Sequence, residues 1–257
     1  MTLENEIDAR NIELEKWRAW AEAREVDSLF VTVSGSHIYG FPSVDSDVDL
    51  RGSHRLPLES IVGLSKPNET VDFTGMHEGI EVDLVSHDVG KYLNLLVRNN
   101  GYILEQVFSP LVVMGQSFLD ELRPIAMNCI TKNHFYHYRG FFGTQRKLIR
   151  KQDPVTAKAV LYAYRVLCTG IHLLNTGEVI TDLKFLSGEM GLNFISELIE
   201  AKVREKVEFK FDVKEHLEKL DELEKQMELA FADSKLRDNP DRKAVNELLV
   251  RLRLDRN

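Results

Sequence analysis

Residues 33–50, VSGSHIYGFPSVDSDVDL, decide how this chain is read. Ser28 to Val33 is a short apolar run rich in β-branched residues, as buried strands are, and Ser34-Gly35-Ser36 breaks it. A second strand is expected at Val48-Asp49-Leu50-Arg51-Gly52. Asp47 and Asp49 are two positions apart, so on an extended strand their carboxylates share one face while Val48 and Leu50 point into the core. Carboxylates placed together are costly to keep ionised unless a cation lies between them. Asp45 reads as a turn acid with no metal role.

A third acid is available further on. Val71 to Thr74 and Ile80 to Val85 flank His77-Glu78-Gly79 as a hairpin, and Asp83 lies inside the second of these strands between Val82 and Leu84. Glu81, on the same strand face, and Asp88, at the expected start of the next helix, are the competing acids. Magnesium, with manganese as the alternative, is the cation that suits such a site, because it takes hard oxygen ligands and is commonly shared between carboxylates and substrate phosphates. Three carboxylates at one sheet edge can hold two ions for in-line attack on phosphorus. Gly35 and Ser36, where the first strand ends, can turn backbone N–H groups and a hydroxyl toward phosphate.

Outward from this region, Leu3 to Arg24 carries Leu3, Ile7, Leu14, Trp17 and Trp20 among charges, which predicts an amphipathic helix. Ser86-His87-Asp88 offers capping oxygens to a helix with Val89, Tyr92, Leu93 and Leu96 on its apolar face. Beyond about Gly115 helical periodicity takes over. One helix is expected from Pro154 to Gly177, with Lys158, Tyr162, Arg165, Thr169 and His172 as a polar stripe; another carries Leu217, Leu220, Leu223, Met227 and Phe231. The expected class is therefore α+β: a small mixed-sheet core over residues 1–115, and a helical bundle over 116–257 that closes a cleft.

Composition narrows the function. Among 257 residues, 33 Lys and Arg against 41 Asp and Glu leave a formal charge of -8, which argues against a surface built for nonspecific phosphate binding. Cys129 and Cys168 are the only cysteines, so neither a disulfide framework nor zinc spacing is available. His37, His54 and His87 read as scattered loop histidines rather than a transition-metal set. With no apolar run near membrane-spanning length and no basic start before an apolar core, a cytoplasmic protein without membrane contact is expected.

The string GSHIYGFPSVDSDVDLRG, with a later strand acid, resembles the DNA-polymerase-beta-type nucleotidyltransferase superfamily, and within it the RNA-ligase-associated RlaP family. Ser86 to Tyr92 with Asn99, Asn100 and Glu105 is similar to that family's helix after the third acid, and Lys158 to Arg165 to its helical-domain motif. Phe41 and Val44 depart from the expected Leu and Pro or small residue, and Tyr162 stands where histidine is common. The resemblance implies Mg²⁺-dependent transfer of a nucleoside monophosphate from a nucleoside triphosphate to a hydroxyl acceptor, with release of pyrophosphate. It implies that Asp47, Asp49 and Asp83 bind metal and that Gly35 and Ser36 hold phosphates. Ser46, Arg51, Lys158 and Arg165 join these as nucleotide-contacting candidates, with RNA, protein and small molecules all open as acceptors. Two rivals stand beside this reading: a noncatalytic nucleotide-binding or antitoxin-like module on the same fold, and a two-metal phosphoesterase.

Overall fold

The computed structural model describes residues 12–43, 45–204 and 212–255. The start of the expected Leu3 to Arg24 helix and Val44 lie outside the described residues; α1 occupies Leu14–Glu22 and buries Trp17, Trp20 and Ala21. Strand β1 (Ser28–Val33) ends at the Gly-Ser turn, a short helix α2 (Ser36–Tyr39) follows, and the chain returns as β2 (Val48–His54). After α3 (Leu58–Val62) come the hairpin strands β3 (Thr70–His77) and β4 (Ile80–Asp88), then α4 (Val89–Leu96) and α5 (Gly101–Val107). Strand β5 (Val112–Met114) and α6 (Gln116–Met127) complete this run.

The five strands lie in the order β3-β4-β2-β1-β5. β2 and β4 are parallel, and every other pairing is antiparallel. In β2 and β4, Val48, Leu50, Val82 and Leu84 are buried while the residues between them stay partly exposed, the period-two pattern of a sheet packed on one side. Phe30 of β1, fully buried, packs edge-on to Tyr92 of α4 and stacks with Phe118 of α6. Burial of such a ring contributes roughly 1.5–3 kcal/mol.

The chain divides into two compact units, and the division differs from the expected break at 115/116. The first comprises Met1–Ile38, Ser46–Cys129 and Asn239–Asn257; the second comprises Tyr39–Asp45 and Ile130–Asp238. Two packing contacts move the boundary. Phe118 places α6 in the core around β1, and the final helix α12 (Arg242–Leu254) returns to the sheet unit, where Arg253 pairs with Asp88. Asp88, alone of the three expected capping residues, caps α4 by accepting from the Gly90 N–H at 2.9 Å; Ser86 and His87 belong to β4.

The second unit is helical: α7 (His134–Lys151), α8 (Ala157–Thr176), α9 (Leu183–Glu189), α10 (Ile195–Arg204) and α11 (Val213–Asp233). α8 runs through its centre, capped by Thr156 rather than started by Pro154, and ended by Gly177 in the left-handed region. α11 buries Leu220, Leu223 and Met227, the apolar stripe read from the sequence.

Candidate active site

Parallel pairing of β2 with β4 decides which acids meet. Asp49 stands directly opposite Asp83, and Val48 opposite Val82. Glu81 pairs with Met76 on β3 and has no partner in β2, so the register selects Asp83 from the two acids on that face of β4. Asp88 is spent on its helix cap and on Arg253. Asp47 precedes the ladder and is exposed.

The glycine turn meets these acids. The Ser34 N–H donates to the Asp49 carbonyl at 2.8 Å, which fixes the end of β1 against β2. Gly35 has φ +67°, and a Cβ placed on it would overlap Asp49 Oδ2. Only glycine satisfies both the left-handed backbone and this approach at low cost. Ser36, largely buried, begins α2 immediately beyond.

Arg51 lies two residues after Asp49 on the same strand face, and its guanidinium joins both acids. Nη2 is 2.9 Å from Asp49 Oδ1 and 3.0 Å from Asp83 Oδ2, while Nη1 donates to the carbonyls of Leu50 at 2.8 Å and Asp83 at 3.0 Å. The Thr74 hydroxyl donates to Asp83 Oδ1 at 3.3 Å. Burial pushes the Asp49 carboxyl above its ordinary value, Arg51 pulls it back, and Asp83 and Asp47 push it up further. Among the described residues, no three His, Cys, Asp or Glu side chains converge as a metal-binding group. The donor chemistry nevertheless fits a hard divalent cation: two carboxylates abreast, a third just upstream, and a cationic side chain already bridging the pair.

The remaining candidates are Ser46, Lys158 and Arg165, the last two in the second unit. Ser46 belongs to the first unit and immediately precedes Asp47. Lys158 is exposed in the first turn of α8. Arg165 does not lie on an open polar stripe. It is fully buried, with its guanidinium 4.0 Å from the Tyr39 ring centre and 5.5 Å from that of Phe141. Thr169 is buried too, so the stripe expected on α8 is interior over its middle. A planar cation lying on aromatic faces keeps part of the electrostatic stabilisation it loses on leaving water.

This arrangement exposes a role that sequence reasoning missed. Residues 39–45 connect the glycine turn to the acid strand yet pack within the helical unit. Tyr39 and Phe41 set their rings edge-on to Tyr162, Lys202 donates to the Ser43 hydroxyl at 2.5 Å, and Asp182 Oδ1 would lie 2.9 Å from a Cβ on Gly40. The available signal was the pair of aromatic residues, Tyr39 and Phe41, in a loop otherwise made of turn formers. The motif residues Asn99 and Asn100 also have local duties: Asn99 takes φ +58° between α4 and α5, and Asn100 caps α5 by accepting from the Tyr102 N–H at 3.0 Å. His37, His54 and His87 are not loop residues. They occupy α2, β2 and β4, where His54 Nδ1 meets Ser86 Oγ at 2.9 Å and His87 Nδ1 meets Thr70 Oγ1 at 3.0 Å.

The site is thus a glycine turn pressed against paired strand acids in a five-stranded mixed sheet. The sequence profile described as RlaP, RNA repair pathway DNA polymerase beta family, matches residues 9–251, and the chain belongs to that family. It is 35% identical over 156 residues to the uncharacterized protein MJ0002 of Methanocaldococcus jannaschii, an alignment covering 60% of this chain and 63% of that protein. It thus spans somewhat under two thirds of the relative's length. A crystal structure of a nucleotidyltransferase-like protein from Exiguobacterium sibiricum 255-15 aligns over 92% of this chain and 86% of that one, at 13% identity. Its TM-score is 0.31. Among the described residues no helix is long and apolar enough to cross a membrane.

Proposed function

We propose that the protein is a magnesium-dependent nucleotidyltransferase that moves a nucleoside monophosphate from a nucleoside triphosphate to a hydroxyl acceptor. The observation that carries this reading is the parallel register that puts Asp49 beside Asp83 with Gly35 pressed against Asp49. Asp47, Asp49 and Asp83 are the residues that would hold Mg²⁺, or Mn²⁺ in its place. Bound there, the ion would neutralise charge developing on phosphate oxygens and favour ionisation of the acceptor hydroxyl. The Gly35 turn and the Ser36 hydroxyl are proposed to receive the phosphates, with Ser46 and Arg51 as flanking contacts and Lys158 as an exposed cation of the helical unit. In the transfer, the acceptor oxygen bonds to the α-phosphorus, the bond to the bridging oxygen breaks, pyrophosphate leaves, and the hydroxyl proton passes to solvent base. An RNA end is the favoured acceptor because the family description places its members in RNA repair; a cytoplasmic setting accords with that substrate.

The test incubates purified protein and Mg²⁺ with each α-labelled nucleoside triphosphate and with separate pools of RNA, protein and small-molecule acceptors. Label is expected in the RNA pool with one pyrophosphate released per label transferred. Triphosphate binding without transfer to any pool would instead favour a noncatalytic, antitoxin-like module. One observation speaks for that second reading: Arg51 already bridges the acid pair and offsets half of its charge.

A further inference from the structure

Asp49 and Asp83 each give one carboxylate oxygen to Arg51. Asp49 Oδ1 is bonded to Arg51 and its Oδ2 faces Gly35; Asp83 Oδ2 is bonded to Arg51 and its Oδ1 accepts from Thr74. One guanidinium nitrogen bridges two carboxylates on adjacent strands, and a divalent cation held by those acids would compete with it for the same oxygens. The bridge is not locked inside the protein, since the Arg51, Asp49 and Asp83 side chains retain 23%, 33% and 30% of their exposure. Arginine also cannot deprotonate to vacate such a place, so it leaves only by moving.

We infer that Arg51 is a displaceable internal counter-ion. Without a divalent ion it holds the Asp49/Asp83 pair together; when the ion binds, the guanidinium swings off the carboxylates and becomes free to engage phosphate. The inference rests on the metal-site reading above and assigns Arg51 a competing role that the reading does not contain. Competition has a definite sign. A residue that only adds positive charge nearby leaves affinity unchanged when that charge is kept, as in Arg51→Lys, whereas a residue whose fork occupies the acids' shared position leaves affinity higher when the fork is lost.

The experiment measures Mn²⁺ binding in the absence of nucleotide, by electron paramagnetic resonance and calorimetry, for the wild type and for Arg51→Gln and Arg51→Lys. Breaking two partly exposed ion pairs without a metal sets the expected gain at roughly tenfold tighter Mn²⁺ binding for Arg51→Gln. Arg51→Lys, with a compact ammonium in place of the fork, is expected to lie between the two. Equal or weaker binding by a folded Arg51→Gln overturns the inference while leaving the metal site standing; no binding by any of the proteins overturns both. Should Arg51→Gln fail to fold, the wild type still decides. The Nε–H nuclear magnetic resonance signal of Arg51 is expected to move on titration with Mg²⁺, and an unmoved signal at saturating Mg²⁺ overturns the displacement.

Discussion

Two polar rows, one on β2 of the sheet unit and one on α8 of the helical unit, follow the same kind of pattern and end in opposite environments. Asp49 and Arg51 share a strand face and stay partly open to water, with like charges abreast and a bridging cation. Arg165 and Thr169 share a helix face and are buried. Periodicity tells which residues share a face, not whether that face meets solvent, a ligand or another aromatic side chain. Open acids raise the cost of the unliganded site, whereas the buried arginine organises the loop that joins turn to strand.

The largest contrast should come from activity against stability. Asp49→Ala with Asp83→Ala is expected to reduce labelled transfer by on the order of 10³-fold or more, with far-ultraviolet circular dichroism and the urea midpoint little changed. Substantial transfer by the double variant would remove the acids from the chemistry. Arg165→Ala should do the reverse in kind, costing about 2–4 kcal/mol in urea unfolding, because it leaves a cavity and strips the cation from the Tyr39 and Phe141 rings. Arg165→Lys should recover little of that loss, since an ammonium cannot lie flat on the rings.

The pH response sharpens the comparison on the helical side. Burial lowers both His134 and His137 to about 4, with Arg165 adding to the effect at His137. A histidine whose folded value is depressed contributes stability that is present above its unfolded value and lost as pH falls toward the folded one. Stability is therefore expected to decline between about pH 6.5 and about pH 4, by on the order of 3 kcal/mol for the fully buried His134, in urea titrations across that range. His134→Gln should flatten the decline. The smallest effect is expected at Lys158, where Lys158→Ala should leave stability within about 0.5 kcal/mol and raise the nucleotide KM a few-fold without lowering kcat. An unchanged KM would remove Lys158 from the nucleotide's surroundings.

Much of this was legible in the chain. Alternating Val48, Leu50, Val82 and Leu84 predicted the two strands and placed their acids on the face away from the core, because strand geometry leaves no other choice. Gly35 followed by Ser36 marked the turn. Less legible was the choice between Glu81 and Asp83, which share a strand face and differ only in what lies beside them. The reading of Arg165 as a nucleotide-contacting residue on a polar stripe did not anticipate its burial, since the aromatic partner Tyr39 lies far away in sequence. The unit boundary moved for the same kind of reason: Phe118 and Arg253 bind their helices to the sheet unit through contacts that no local pattern announces.

The sequence by itself determined four of the five strands, the glycine turn, the acids' common face and the family, all of which depend on local order and spacing. Tertiary structure alone decided that Asp83 is Asp49's neighbour, that Arg51 lies between them, and that the loop joining turn to acid strand is anchored by the helical unit. The physical reason is that strand pairing and burial join residues distant in the chain, and a hydrogen-bonded register settles which side chains touch.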